Sequence, residues 1–240
     1  MPPNDSPTPG LHQLFQDLET RFHSTAIDPS KWSILAIASL VASPDPETAD
    51  QLYLYLINQP AYRTPGSRQT LVRRLREALI KAVPIVGVCK PIEAILAIAK
   101  LERDEDKDYS FTRENWQCDA ANHARGVDWF QTLYSRNSAG TLDLFHAHRD
   151  FAWLSTEITY GLYLSDRQVL DDLDTQLVVL PAIMSQNLRL ESHWHIRGTR
   201  RLGVSRHDVG IVSDCVKMVA GFFGVRLDRV PAVDEVETDV

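Results

Sequence analysis

The sequence predicts an all-α protein. Apolar residues recur at intervals of three and four positions through most of the chain, which is the spacing of one face of an α-helix. The one β-branched run, "TQLVVLPAIM" (175–184), has flanks with helical spacing, so it does not predict a strand. With 240 residues, of which 44% are hydrophobic and 24% charged, the chain is long enough to bury a full core.

The first half of the chain, residues 11–101, contains five predicted helices. The first begins at Leu11, after a Pro-rich segment (1–10) that we interpret as a flexible tail. The second has Asp28 or Ser30 available as its N-cap, and the third restarts after the break "SPDP". The fourth and fifth are the segments "PGSRQTLVRRLREALIKAVPIVG" and "KPIEAILAIAKLER".

A run of charged residues, "ERDEDKDYS" (102–110), lacks apolar periodicity and is predicted to be a solvated linker loop between two halves. The arginines of the fourth helix, Arg73, Arg74 and Arg76, are interpreted as a solvated helix face.

The second half, residues 111–235, continues the helical pattern. Its segments in chain order are "ANHARGVDWFQTLYS", "AGTLDLFHAHRDFAWLSTEITYGLYLS", "DRQVLDDLDTQLVVLPAIMSQ", "RLESHWHIRGTRRLG" and "SRHDVGIVSDCVKMVAGFFG". A weak internal repeat, "ALIKAVPIVGV" (78–88) against "DCVKMVAGFFGV" (214–225), indicates that the halves are related. We therefore expect two related helical halves packed as one unit.

Charge and composition exclude several classes of protein. A net charge of −7 argues against a nucleic-acid-binding surface, which needs a basic face. No apolar run approaches the roughly 18 residues of a membrane span, and no secretory signal is visible. Cys89, Cys118 and Cys215 are far apart and form no CxxC, which fits a reducing compartment. A cytoplasmic location is expected.

The segment "LESHWHIRG" (190–198) concentrates ionisable and aromatic side chains. On a helix, residues three and four apart share a face, which places Glu191 and His195 together on an inward, otherwise apolar stripe. Such a pair can hold and release a proton near neutral pH, as general acid–base catalysis requires. The alternative is a buried hydrogen bond with a structural role only. A different, strongly basic stripe carries Arg189, His193, Arg197 and Arg200, and His193 is predicted to be solvated.

Metal and cofactor binding find little support in the sequence. His193 and His195 would point about 200° apart on a helix, so the two rings could not chelate one ion. No third ligand has convincing spacing from Glu191 and His195. No Gly-rich phosphate loop, nucleophile elbow or zinc pattern is present. Neither a metal nor a cofactor is therefore predicted.

The stretch "TQLVVLPAIMSQNLRLESHWHIRGTRRLGVSRHDV" (175–209) resembles the core motif of the alkyl hydroperoxidase D-like (AhpD-like) superfamily, which includes the carboxymuconolactone decarboxylases. In that family a helix runs from a glutamate to a CxxC motif, and a histidine stands four residues after the second cysteine. His195 falls on this histidine and Gly203 on a family glycine. The preceding segment is similar to the helix that leads into the motif, through Glu157, Tyr160 and Gly161.

The departures from the family pattern change the chemistry that the resemblance implies. Leu188 and Glu191 occupy the two cysteine positions, and Gln176 occupies the glutamate position. Because disulfide exchange needs a thiolate and a resolving thiol, the resemblance implies the non-redox, decarboxylase-like side of the family. It then implies that His195 is the general acid or base, that Glu191 is its partner, and that Gln176 and Tyr160 orient polar substrate atoms.

The expected function is a cofactor-independent enzyme that decarboxylates, isomerises or cyclises a small organic acid or a secondary-metabolite intermediate. Glu157, Tyr163 and Trp194 are further candidates for contacting this small-molecule substrate, with helix packing as the alternative for the aromatic residues. The other hypotheses are a non-catalytic binding or scaffold protein, and a thiol peroxidase that depends on Cys215 or Cys89. Because family members assemble from single repeats into trimers or hexamers, the resemblance implies a smaller homo-oligomer, most simply a dimer.

Overall fold

The computed structural model describes residues 6–240, and within this range the chain is all-α, as predicted, with no strand. A π-helix, Leu154–Leu164, directly follows the eighth α-helix. The α-helices of this part of the chain are, in order, α1 (Pro9–Phe22), α2 (Trp32–Ala42), α3 (Ala49–Ile57), α4 (Pro65–Val86), α5 (Cys89–Ala99), α6 (Ala120–Tyr134), α7 (Ser138–Asp143), α8 (Arg149–Trp153), α9 (Asp172–Met184), α10 (Arg189–Arg201), α11 (Arg206–Phe222) and α12 (Val233–Val236).

One apolar core is shared by both halves of the chain. Every residue of α2 is buried, and α9 is buried from Asp174 to Met184, so both helices lie in the interior. Helix α2 packs against α4, α9 and α11, and α1 packs against α11. The buried face of α1 has the spacing that the sequence predicts, with Leu11, Leu14, Phe15, Leu18 and Phe22. The main core is therefore common to the two predicted halves.

The N-terminal segment is more ordered than predicted. Residues 1–5 of the predicted flexible tail lie outside the part of the chain that the structure describes. Helix α1 begins at Pro9, which suits the first helical turn because proline lacks the N–H that would be unpaired there. The Thr8 backbone N–H donates to the Gln51 side chain at 3.0 Å. The tail interpretation is therefore wrong for Pro9 and Gly10.

The charged segment 102–110 is solvated only in part, which corrects the prediction of a solvated loop. Asp106 is fully buried, and its Oδ2 lies 2.7 Å from Nε of the buried Arg68 on α4. Asp108 accepts hydrogen bonds from two further α4 side chains, Arg73 and Arg76. Burial raises the pKa of Asp108, but hydrogen bonds from Arg73, Ser110 and Arg76 outweigh it and hold that pKa below its ordinary value.

The same contacts correct the interpretation of the α4 arginines as a solvated face. Arg73 and Arg76 hold the charged segment against α4, and Arg74 lies 3.2 Å from the buried Asp174 of α9. Alternating charges that suggest solvent exposure in the sequence are thus paired across elements.

A smaller aromatic cluster forms beside the main core, where α6, the π-helix and α9 meet. Its buried members are Trp129, Phe130, Leu133, Tyr134, Tyr160, Leu164, Val179 and Ile183. The segment 139–165, which continues the helical pattern in the sequence, is interrupted by a turn at 144–148, between α7 and α8. His146 and His148 lie in this turn and are exposed.

The π-helix depends on donors from other elements. Asn122 Nδ2 donates to the Glu157 carbonyl at 2.9 Å, Trp116 Nε1 to Leu162 at 3.0 Å and Lys81 Nζ to Leu164 at 2.8 Å. Each contact satisfies a backbone carbonyl of the π-helix with a side chain that is distant in sequence.

The π-helix also approaches α6 too closely for a side chain at the crossing point. A Cβ added to Gly126 of α6 would lie 2.2 Å from the Thr156 carbonyl oxygen, and a Cβ on Gly161 would lie 2.5 Å from Asn122 Nδ2. Glycine is therefore required on both helices.

No helix within residues 6–240 combines the length and the apolar character needed to cross a bilayer.

Candidate functional site

A cavity of about 250 Å³ lies at the edge of the aromatic cluster and is bounded by the π-helix, α6, α9 and α10. We call it the Glu191 cavity. Most of its lining is apolar, and its main polar contributors are Tyr134, Ser155, Thr159, Tyr160, Glu191 and His195. Apolar walls with a few convergent polar groups are typical of a site for a small organic molecule.

Helix α10 places three of the predicted site residues at this cavity, namely Glu191, Trp194 and His195. The helix ends as predicted, with Gly203 at a φ of +90° directly after its C-cap residue. Ser205 then caps α11 by accepting a hydrogen bond from the Asp208 backbone N–H at 3.0 Å. These local signals define where α10 ends and where α11 begins.

His195 is a buried, neutral imidazole held from behind by Gln176. Gln176 Nε2 donates to the His195 carbonyl at 3.2 Å and to Thr199 Oγ1 at 2.9 Å, which leaves Gln176 Oε1 as an acceptor. This oxygen faces His195 Nδ1 at 3.4 Å, so Nδ1 carries the proton. The unprotonated Nε2 faces the Tyr160 hydroxyl at 3.5 Å. Burial, with a contribution from Arg197, lowers the pKa of His195 to about 4.

Glu191 is a partly buried carboxyl group without a partner. No hydrogen bond or ion pair to its side chain occurs among residues 6–240, and burial raises its pKa above the ordinary glutamate value. The prediction that Glu191 and His195 form a pair is therefore wrong, since no hydrogen bond joins the two side chains in the described range. His195 donates to Gln176 instead, and its Nε2 contacts the Tyr160 hydroxyl, because these residues approach the ring from α9 and the π-helix.

Two tyrosine hydroxyls complete the polar lining. The Tyr160 hydroxyl donates to the Tyr134 hydroxyl at 3.2 Å. Burial raises the pKa of both phenols above the ordinary value, and the negative charge of Glu191 raises both further. Both tyrosines are therefore neutral hydroxyl groups near the Glu191 carboxylate. Tyr134 is absent from the sequence-based candidates, because its i, i+4 spacing from Phe130 is typical of a packed helix face.

Three other predicted substrate contacts do not line the cavity. Gln176 lies behind His195, so its position is that of a residue that orients the imidazole. Glu157 forms a hydrogen bond with His123 on the opposite side of the π-helix. Tyr163 packs against the outside of the aromatic cluster, as the packing alternative predicts. Of the seven predicted site residues, Tyr160, Glu191, Trp194 and His195 share the cavity.

The basic stripe predicted on α10 is divided between different environments. Arg189 is exposed, whereas Arg197 is buried. His193 is not simply solvated, since its Nε2 lies 2.8 Å from Asp239 Oδ2. Arg200 forms an ion pair with Glu237. Helical spacing alone does not show this difference, because the covering residues come from α6, α7 and the end of the chain.

The cysteines lie away from the cavity. Cys215 is buried in the main core, and burial raises the pKa of its thiol to about 12, so it is no source of thiolate at neutral pH. Cys89 and Cys118 are exposed. In the described range, no group of three or more His, Cys, Asp or Glu side chains has an arrangement that could hold a metal ion.

Comparison with known proteins gives one distant similarity. Peroxisomal protein 2 of Schizosaccharomyces pombe is 26% identical over 137 residues, which cover 57% of this chain and 63% of that protein. The match thus spans less than two thirds of the length of the curated relative. No family model matches the chain. No solved structure matches it either.

Proposed function

We propose that the Glu191 cavity is the active site of a cofactor-independent, non-redox enzyme. It acts by acid–base chemistry on a small organic acid or a secondary-metabolite intermediate, in a decarboxylation, isomerisation or cyclisation of the carboxymuconolactone-decarboxylase type. The observation that carries the proposal is the unpaired Glu191 carboxyl, with a raised pKa, in an apolar wall beside a neutral imidazole. Such perturbed groups in a cavity are typical of catalytic acids and bases.

In this proposal Glu191 has the main proton-transfer role. A carboxyl group with a pKa raised towards neutrality can both accept a proton from a carbon acid and return it. His195 has a pKa of about 4, so it remains neutral and contributes a hydrogen-bond acceptor at Nε2. This assignment exchanges the two roles that the sequence suggests.

The tyrosine hydroxyls are proposed to orient the substrate. Tyr160 donates its proton to Tyr134, so the Tyr134 hydroxyl is the donor left free for the substrate, and the aromatic cluster holds both groups in fixed positions. A donor that is already oriented stabilises an oxygen atom that gains negative charge in the transition state. Gln176 acts through His195, as a positioning residue.

The AhpD-like resemblance supports the same chemistry, because Glu191 then replaces a family cysteine and exchanges a redox group for an acid–base group.

A homo-oligomer, most simply a dimer, belongs to the same proposal, and light scattering on the purified chain measures its mass. The expected cytoplasmic location has a peroxisomal alternative, since the name of the S. pombe relative refers to that organelle.

The test is a search for catalysed change in D₂O. The purified chain is incubated with a small-molecule extract rich in organic acids, and untargeted mass spectrometry records compounds that are consumed or gain deuterium at carbon. We expect the Glu191→Gln variant to slow the reaction by roughly 10²–10⁴-fold, which is the usual contribution of one acid or base. Glu93→Gln, at an exposed position on α5, is the matched control and should retain the wild-type rate.

Full activity in Glu191→Gln would remove the mechanism. If the wild-type chain changes no compound, the non-catalytic binding hypothesis is the better description.

A further inference from the structure

A second cavity, of about 230 Å³, lies next to the Glu191 cavity on the other side of Trp194. We call it the Arg197 cavity. Trp194 and Thr141 line both cavities. The remaining lining includes Arg136, Asn137, Leu144 and Arg197, so this cavity combines two guanidinium groups with apolar surface.

Arg197 is the unusual member of this lining. Its residue surface is 5% exposed, and no hydrogen bond or ion pair to its guanidinium occurs within residues 6–240. Burial lowers its pKa below the ordinary arginine value. A buried cation without a partner is unfavourable, and proteins ordinarily pair or solvate it. The Thr141 hydroxyl, on the same cavity wall, also has no hydrogen-bond partner in the described part of the chain.

The neighbouring acidic residue, Asp239, does not form an ion pair with Arg197. Asp239 raises the pKa of Arg197 through its charge, but its carboxylate lies 2.8 Å from His193. Arg136 and Arg201 add further positive charge on this side of α10, and both donate to backbone oxygens near the end of the chain. The cavity therefore has an excess of positive charge within a protein whose net charge is −7.

We propose that the Arg197 cavity binds the carboxylate group of a small organic acid, whose apolar body contacts Trp194. A guanidinium presents a planar fork that matches a carboxylate with two parallel hydrogen bonds. The apolar contributions of Leu144 and Trp194 favour an organic acid over inorganic phosphate. The inference does not depend on the proposed function, because Arg197 and Glu191 line different cavities.

Calorimetric titration with benzoate tests the proposal without any turnover. Wild-type protein should bind benzoate saturably at pH 7, inorganic phosphate more weakly and the neutral benzamide not measurably. Arg197→Gln should weaken benzoate binding at least tenfold, and Arg197→Lys should weaken it less, because lysine keeps the charge and loses the fork. Arg189→Gln is the matched control on the same helix, since Arg189 is exposed and lines neither cavity.

The variants also separate this inference from the proposed function. Arg197→Gln leaves no side-chain partner unpaired, so its thermal midpoint should equal or exceed that of the wild type. Glu191→Gln should bind benzoate at least as tightly as the wild type, because it loses a nearby negative charge. If benzoate binding depends on Arg197 and no acid is turned over, the carboxylate site stands and the enzyme proposal falls.

Unchanged benzoate affinity in Arg197→Gln, no binding by the wild-type protein, or phosphate binding tighter than benzoate would each overturn the inference.

Discussion

At the residue scale, His195 shows how neighbours from other helices decide the chemistry of a side chain. Its sequence position next to Glu191 suggests an acid–base pair, but Gln176 of α9 and Tyr160 of the π-helix are its actual contacts. Burial then keeps the imidazole neutral at physiological pH. Glu191 has no such partner, and burial raises its pKa above the ordinary glutamate value.

The buried imidazole predicts a pH dependence of stability. The pKa of His195 falls from 6.5 to about 4 on folding, so between these values the unfolded state binds more protons than the folded state. Stability should therefore decrease as the pH falls from about 6.5 to about 4, by up to about 3 kcal/mol.

Urea unfolding of the wild type and of His195→Gln across this pH range isolates the effect. The difference between their unfolding free energies should change in this window and be constant above it. The raised pKa of Glu191 acts in the opposite direction, but it is present in both proteins and largely cancels. A difference that is independent of pH would show that His195 is not buried in its neutral form.

At the element scale, the π-helix is the part of the fold that forms one wall of the site and the part that the sequence does not predict. The 3.6-residue spacing of the buried face of α1 is a local signal, and the structure confirms it. The π-helix instead requires hydrogen-bond donors to its carbonyl oxygens. The side chains of Asn122, Trp116 and Lys81 supply them, and these residues are at least 35 positions away in sequence. No local pattern encodes that requirement.

Because α6 and the π-helix cross closely, alanine should have opposite effects on stability at two helical glycines, Gly126 and Gly210. Gly126→Ala should destabilise the protein by about 1–3 kcal/mol, since its Cβ would overlap the Thr156 carbonyl and force the helices apart. Gly210→Ala is the control: it lies in α11 with no atom near its added Cβ, and it should stabilise by up to about 1 kcal/mol. Denaturant unfolding monitored by circular dichroism measures both, and equal effects would contradict the close approach.

At the scale of the whole molecule, the two halves share their interior. Helices α2 and α4 from the first half pack against α9 from the second, and the charged segment between the halves is fixed on α4 by buried ion pairs. The sequence predicts the all-α class correctly, but it does not show that Asp106 and Arg68 are buried partners. Their pairing depends on the return of the chain after α5.

Two consequences for unfolding follow from this shared interior. The chain should unfold in a single cooperative transition, with fluorescence and circular dichroism giving the same midpoint. Asp106→Asn should destabilise it by up to about 3–5 kcal/mol, because it removes the buried carboxylate of this ion pair and leaves Arg68 only the exposed Glu105 carboxylate at 3.2 Å. Asp104→Asn, at an exposed position of the same segment, should have no measurable effect. Two separate transitions would instead indicate independent domains.

Trp194 has a consequence for selectivity. Its indole is a partition between two adjoining chambers, one with the carboxyl of Glu191 and one with the guanidinium of Arg197. Trimming the indole in Trp194→Ala would merge the chambers into a longer channel. Acids with extended or branched skeletons should then be accepted in preference to compact ones, so a single side chain sets the length of molecule that fits.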